Sequence, residues 1–482
     1  MEINLEHIKK IYMVGIGGIA MSAVACLLKQ AGFEVLGSES CEAYDPARKV
    51  LAENQISYAA GYSAENIKNS GADLYVLSAG EDENNPEVKY ILENKLPRCG
   101  FPQVMYELQK QSLRVVVTGT HGKTTTSGLL GHLLHNLDHS GFMVGGVLQN
   151  YASNFMPSEG HYFVFEGDEY KTEFDDPTPK FHYYKADVLV LTNLEFDHPD
   201  MFEDFDALKA EFEELVDKMP EDGLIVYNAD NAELVKIVRQ SNISSVSFGI
   251  ENEADFKVEN IQYGEYTKFQ THNSLSRDHT AKLLGLTEDY QTQLPGQINA
   301  YNALAAIATL RTLGFGSNQI ALDLLSFKGV KRRFELIGAK NGITLIDDYA
   351  HHPTAVKETL DASKIKYPNS RIWAVFEPHT FSRTKATLPE LIKAFGSADR
   401  VLISEIYPAR EKASEATITS DEVVKEIQTH NPKFQIHNSL RKVSNKDEAL
   451  QILKTELNPH DVVIVMAVGS FNRLAYELKE IL

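Results

Sequence analysis

The stretch RVVVTGTHGKTTTSGLLGHLLHNL, residues 114–137, sets the frame for the rest of the chain. It opens as an apolar run of the kind a buried parallel strand shows, turns at two glycines, and continues with helical spacing from about Lys123. Strand, glycine turn and helix in that order aim a helix N-terminus at one point. Free N–H groups and the helix dipole favour phosphate there. The loop is shorter than the common phosphate loop, G-x-x-x-x-G-K-[ST]. Val117 stands where that pattern needs its first glycine, so the loop reads G-x-x-G-K-T from Gly119. Gly119 and Gly122 remove side chains so that the backbone can wrap closely. Lys123 is placed to meet the terminal phosphates of ATP, and Thr124 or Thr125 to help hold Mg2+. Thr120 and His121 complete the loop, and a histidine there is unusual for general NTPases.

Outward from this loop, strands and helices alternate. On the N-terminal side, KKIYMVGIG, FEVLGSES and ADLYVLSAG read as strands, with IAMSAVACLLKQAG a helix after the first. On the C-terminal side, HYFVFEGD, DVLVLTNLEFD and DGLIVYN read as further strands of the same unit. Residues 251–294 are less regular, with room for hairpins, and QINAYNALAAIATLRTLG is an alanine-rich helix. A last group of strands is expected at ITLIDDY, RIWAVFEP, RVLISEIY and DVVIVMAVG. Repeated strand–helix order implies α/β units with parallel sheets. Domains of roughly 100–200 residues make three the expected number. Boundaries are placed at 1–110, 111–328 and 329–482.

Composition narrows the function. Hydrophobic residues make up 43% and charged residues 24%, which suits a globular protein with real cores. The net charge of −20 argues against general affinity for nucleic acid or an anionic membrane. It leaves room for an anionic small molecule held by backbone N–H groups. Cys26, Cys41 and Cys99 form no C-x-x-C pair, so neither a zinc site nor a disulfide framework is expected, and a cytoplasmic location is the simplest setting. No signal peptide is expected at MEINLEHIKKIYMVG, and no apolar run is long enough for a membrane span. Monomer and homodimer both remain open.

Two strands beside the loop end in polar clusters: Glu166, Asp168 and Glu169 in FEGDEY, and Asn193, Glu195, Asp197 and His198 in NLEFDH. Carboxyl ends of parallel strands bind ligands, and a carboxylate with an imidazole there can hold Mg2+ directly or through water. Near the N-terminus, Gly15, Gly17, Gly18 and Ala20 fit G-x-G-x-x-G/A, with Glu39 about twenty residues on. That pattern lets a diphosphate approach a helix. It fits a dinucleotide, hence an NAD-dependent oxidoreductase, as well as a nucleotide sugar.

Together these motifs resemble the Mur ligase family of peptidoglycan synthesis. GIGGIAMS (15–22), GTHGKTTT (119–126), EGDEY (166–170), NLEFDH (193–198), NAYNALAA (299–306), KRRFE (331–335) and DDYAHHPT (347–354) carry the resemblance across nearly the whole chain. It implies a Rossmann-like N-terminal domain for a UDP-sugar, a central P-loop ATPase-like domain, and a Rossmann-like C-terminal domain for an amino substrate. It also implies ATP and Mg2+ as cofactors, and ligation through an acyl phosphate. By position, Lys123, Glu166 and His198 would be catalytic, and Thr124, Glu166 and His198 would hold Mg2+. Asn299, Arg333 and Asp348 would contact ATP with the loop residues 119–125. Gly15, Gly17, Gly18, Ser38 and Ser78 would meet the UDP-sugar. Tyr349, His379 and Arg383 would surround the amino substrate.

Two departures stand out. Ile298 replaces a histidine that relatives often carry before the adenine asparagine. Phe212 replaces a lysine that several relatives carbamylate, with Lys209 three residues earlier, so no carbamate is expected. GIGGIAMS and VFEPHTFSRTKA resemble the branch that adds L-alanine to UDP-N-acetylmuramate. EGDEYKTEFDDPTPKFHYYK, NLEFDHPDMF and DDYAHHPTA resemble the recycling branch that adds a whole tripeptide. Because the C-terminal domain would bind the nucleophile, L-alanine ranks first. A folylpolyglutamate-type ligase would lack the N-terminal domain, an oxidoreductase would leave Lys123 unexplained, and a non-catalytic nucleotide-binding regulator would have lost the metal ligands.

Overall fold

The computed structural model of the chain describes residues 3–197, 199, 201–274, 285–409, 411, 412, 414, 416–435 and 439–482. Its strands form three sheets. In the first, β1 (Lys10–Val14), β2 (Glu34–Glu39), β3 (Ser57–Ala60), β4 (Leu74–Leu77) and β5 (Arg98–Gly100) run parallel in the order β3-β2-β1-β4-β5. The direction of winding reverses at β1. The glycine turn 15–18 leaves β1 at that crevice, where open α/β sheets bind ligands.

The second sheet holds β6 (Leu113–Thr118), β7 (Gly141–Leu148), β8 (Ser153–Met156), β9 (Tyr162–Glu166), β10 (Val188–Leu191), β11 (Leu224–Asn228), β12 (Ser244–Gly249), β13 (Phe256–Gln262), β14 (Thr267–Asn273) and β15 (Thr287–Thr292). Its order is β15-β14-β13-β12-β11-β10-β6-β9-β7-β8. β6 lies between β9 and β10, in register that pairs Val117 with Glu166 and Thr118 with Leu191. That register brings both acidic strand ends to the phosphate loop. β13, β14 and β15 pair antiparallel at one edge, which places hairpin structure in the irregular stretch 251–294.

The third sheet comprises β16 (Glu335–Lys340), β17 (Ile343–Asp348), β18 (Ile372–Phe376), β19 (Arg400–Ile403), β20 (Leu440–Lys442) and β21 (Val462–Met466). It runs β16-β17-β21-β18-β19-β20, parallel except for the β16–β17 pair.

The apolar runs form central strands because helices cover both faces of each sheet. Val115, Val116 and Val117 are fully buried. Val116 joins a core with Phe163, Phe165 and Leu189. Val115 and Val117 point the other way, into a core with Leu129, Leu133 and Ala303. Helix Gln297–Thr312 is buried nearly all round, and its alanines let it pack close to the loop helix Lys123–Asp138. The chain leaves the middle sheet only after Lys331: Val330 bridges Leu148, and Lys331 N–H donates to Val147 O at 2.8 Å. Among the described residues no helix is long and apolar enough to cross a membrane.

Candidate active site

The phosphate loop is clamped by the strand end next to it. Thr120 N–H donates to Asn193 O at 3.1 Å, and His121 N–H donates to Asn193 Oδ1 at 2.7 Å. The Thr120 hydroxyl donates to Glu195 O and accepts from Glu195 N–H, each at 2.9 Å. Thr192 Oγ1 and Asn193 Nδ2 donate to the His121 carbonyl at 2.7 and 2.9 Å. The loop must therefore run close to this strand, and glycine makes that possible. A Cβ on Gly119 would lie 2.2 Å from Thr192 Oγ1, and one on Gly122 would lie 2.4 Å from Asn302 Oδ1. Both also adopt positive φ, 135° and 81°. Helix Lys123–Asp138 begins with no side-chain cap, which leaves its first-turn N–H groups for a ligand.

At the first turn, Thr124 Oγ1 donates to Glu166 Oε1 at 2.7 Å, and Gly145 N–H donates to Glu166 Oε2 at 2.6 Å. Thr124, not Thr125, thus meets the acid. A hydroxyl beside a carboxylate is an all-oxygen donor pair of the kind Mg2+ takes, so these residues fit that ion. Lys123 Nζ lies 2.9 Å from Glu169, which is 2% exposed, and donates to Gly119 O at 2.7 Å. Burial works against the lysine's charge, but Glu169, Asp168 and Glu166 outweigh it and hold the ammonium above the ordinary lysine value. His198 lies outside the described residues.

Beside the loop, a pocket is lined by His121, Asn231, Tyr301, Asn302, Thr354 and Glu358, among others. Of the two asparagines on helix Gln297–Thr312, Asn302 is the one that lines it. Asn299, expected there from sequence, sits one turn back and is 9% exposed. Its amide donates to Pro295 O at 2.8 Å and its oxygen accepts from Asn302 at 3.1 Å, so it orients Asn302. The reason is helical: positions three apart share a face, but here the earlier one points deeper.

The C-terminal unit meets this site directly. Arg333 Nη2 lies 3.4 Å from Thr124 Oγ1, and Thr354 Oγ1 donates to Glu195 Oε2 at 2.9 Å. Asp348 is buried and accepts N–H bonds from Phe334 and Ala350, each at 2.7 Å, so it holds the turn that carries Arg333. Burial raises its carboxyl above the usual range, with Arg333 opposing. Tyr349 lies under both Arg332 and Arg333, 4.9 and 5.0 Å from its ring centre. Rings then run from Tyr349 to His351 (5.4 Å), His351 to His379 (5.3 Å) and His379 to Tyr407 (6.0 Å). Arg383 adjoins this row through its 2.8 Å contact with His379 Nδ1. The structure thus brings Tyr349, His379 and Arg383 together, with His351 between the first two.

In the N-terminal sheet, Gly17 N–H donates to Glu39 Oε2 at 2.9 Å, and Gly15 packs against Ser78, where a Cβ would lie 2.8 Å from that of Ser78. Gly18 caps the helix Ile19–Gln30. Ser38 is fully buried, and its hydroxyl donates to buried Glu87. Its carbonyl accepts from Gly15 and Ile16 at 3.0 Å, so Ser38 shapes the turn from beneath instead of facing a ligand. Residues with no role expected from sequence are His351, His352, Thr354 and Tyr407. The paired histidines before Pro353-Thr354, at a helix start, were the available signal.

The chain matches three family models: "Mur ligase family, catalytic domain" over 10–112, "Mur ligase middle domain" over 117–310, and "Mur ligase, glutamate ligase domain" over 332–469. It is 34% identical over 466 residues to a UDP-N-acetylmuramate–L-alanine ligase of Clostridium acetobutylicum, covering 96% of this chain and 95% of the relative. Among solved structures, a UDP-N-acetylmuramate–alanine ligase from Thermotoga maritima superposes with a TM-score of 0.78 at 24% identity, covering 98% of this chain and 99% of that one. A murein peptide ligase from Psychrobacter arcticus gives 0.72 at 28% identity over 98% and 99%.

Proposed function

We propose the reaction from one premise: the chain belongs to the Mur ligase family. It is an ATP-dependent acid–amino-acid ligase that joins L-alanine to the lactyl carboxylate of UDP-N-acetylmuramate in peptidoglycan precursor synthesis. The observation that carries this reading is the similarity to an alanine-adding ligase over 96% of the chain. The oxidoreductase reading of residues 15–39 gives way to it.

The carboxylate oxygen attacks the γ-phosphorus of ATP and ADP leaves. The amine of alanine then attacks the acyl carbon, loses its proton, and phosphate departs. Lys123 and the first-turn N–H groups after Gly122 would offset charge on the transferring phosphoryl group. Mg2+, held by Thr124, Glu166 and His198, would neutralise phosphate charge. Arg333, at Thr124, brings a further cation from the C-terminal unit. The turn Gly15–Gly18 would receive the UDP diphosphate, Asn302 the adenine, and the group Tyr349, His379 and Arg383 the amino acid. Units 1–110, 111–328 and 329–482 would divide the work as sugar-nucleotide, ATP and amino-substrate domains. Holding both substrates close is worth roughly 7–11 kcal/mol in such reactions. Cys26, Cys41 and Cys99 are all free, as suits a reducing cytoplasm.

A second reading, addition of a preformed tripeptide, draws on the likeness to the murein peptide ligase of P. arcticus. Phosphate release from ATP, Mg2+ and UDP-N-acetylmuramate separates the two. Turnover with L-alanine is expected. Turnover with the tripeptide alone selects the second reading, and turnover with neither overturns both.

A further inference from the structure

Three side chains converge at the loop, and two of them, His121 and Glu195, also line the pocket proposed for adenine. His121 comes from the loop, Glu195 from the chain after β10, and His352 from the start of helix Pro353–Lys366. Each presents a ligand atom, and the three atoms lie within 4.8 Å of one another. His121 Nε2 is 3.1 Å from Glu195 Oε2, and the two imidazole rings are 4.7 Å apart. With metal–nitrogen bonds of about 2.0–2.1 Å, donor atoms round a tetrahedral ion stand roughly 3.3 Å apart. A His–carboxylate hydrogen bond alone accounts for one short distance. It does not account for a second imidazole, from another domain, converging on the same pair.

The chemistry of the donors agrees. His352 is 7% exposed. Glu195 is oriented by its 3.1 Å contact with His121 and by Thr354, which donates to it at 2.9 Å. Two imidazoles and one oriented carboxylate form a set with an open fourth position, which suits zinc and its neighbours better than Mg2+.

We propose that His121, Glu195 and His352 bind one zinc-class transition-metal ion, separate from Mg2+ at Thr124 and Glu166, and that the ion fastens the C-terminal unit to the phosphate loop. The ion replaces the hydrogen between His121 and Glu195. It also costs one long helix-cap bond, from Thr354 N–H to His352 Nδ1 at 3.4 Å, if His352 binds through Nε2.

The test uses chelator-treated full-length protein without nucleotide and in excess Mg2+. Zn2+ is titrated against a chromophoric chelator, and Co2+ is followed by its visible absorption. One equivalent is expected, with a tetrahedral cobalt spectrum. His352→Ala and Glu195→Gln should each weaken binding by about 10- to 100-fold or more. Glu166→Gln should retain it, as should Glu211→Gln, which alters the other histidine–carboxylate group, His182, Glu211 and Glu214. Unchanged affinity in both His352→Ala and Glu195→Gln overturns the proposal, as does loss in Glu166→Gln. Should His352→Ala not fold, Glu195→Gln carries the same readout. Because metal affinity is measured without turnover, its failure leaves the ligase reading untouched.

Discussion

Arg383 Nε lies 2.8 Å from Asp197 Oδ1 with both side chains buried, so a guanidinium of the C-terminal unit is sealed against a strand end of the middle sheet. With Thr354 on Glu195 and Arg333 on Thr124, this makes three polar contacts between the unit proposed to bind the amine and the unit proposed to bind ATP. Closure and assembly of the site are then one event. Asp197 fixes one edge of the guanidinium and His379 Nδ1 meets Nη1 at 2.8 Å, so the planar group is held in place at the site proposed for the amino acid.

Arg383→Ala is therefore expected to raise the KM for L-alanine by about 10- to 100-fold, the effect of losing one charge-assisted contact. Arg383→Lys should not restore it, because an ammonium cannot serve Asp197 and the substrate with one planar group. Steady-state kinetics with each substrate varied in turn checks this. A change confined to the KM for ATP would refute the assignment.

Much of this arrangement is legible in the sequence. The run VVVTG followed by Gly122-Lys123-Thr124 specifies strand, turn and helix locally, and the acids of EGDEY lie at a strand end that any parallel sheet would bring alongside. What is not legible depends on packing at a distance. Nothing local says that Asn302 faces the pocket while Asn299 faces Pro295, because both positions suit the same helical face. Ser38 reads as a polar strand end, yet Glu87, far along the chain, draws its hydroxyl inward. The partner of Arg383 is set by how two domains meet, and no periodicity in either segment encodes that.

Lys123→Ala should reduce phosphate release by about 1000-fold. It should also destabilise the fold, because Glu169, 2% exposed, loses its ion pair with Lys123. The two effects separate in the double variant Lys123→Ala/Glu169→Gln, where melting temperature should recover and turnover should not. Near-normal phosphate release in Lys123→Ala would remove that lysine from the mechanism.

Gly122→Ala tests the loop geometry. Its Cβ would lie 2.4 Å from Asn302 Oδ1, at a φ of 81°. Asn302→Ala removes the clash but not the backbone strain, which costs about 1–3 kcal/mol. The KM for ATP should rise by about 10-fold or more in Gly122→Ala, and in the double variant it should stay above that of Asn302→Ala alone. A double variant equal to Asn302→Ala would show that the clash alone, and not the left-handed backbone, demands glycine.

Asp347, next to Asp348 in β17, gives a pH prediction. It is fully buried, its oxygens make no well-formed hydrogen bond among the described residues beyond a weak approach of the Asp348 N–H, and Arg332 Nε is 3.5 Å away. Burial pushes its carboxyl up to about 7, against the pull of Arg332. Unfolded, the group ionises near its ordinary value of about 3.9. Between these two values the folded chain keeps a proton that the unfolded chain has released. Stability therefore falls as pH rises through this window, and the loss is complete above about 7. The shift corresponds to at most about 4 kcal/mol. Asp347→Asn carries no such slope. Its stability relative to the parent, read from urea unfolding, should be level near pH 4 and increasingly favourable toward pH 8. A difference that stays flat across that range would mean that Asp347 finds its charge satisfied in the folded protein, and that the β17 end carrying Asp348 is not under this electrostatic load.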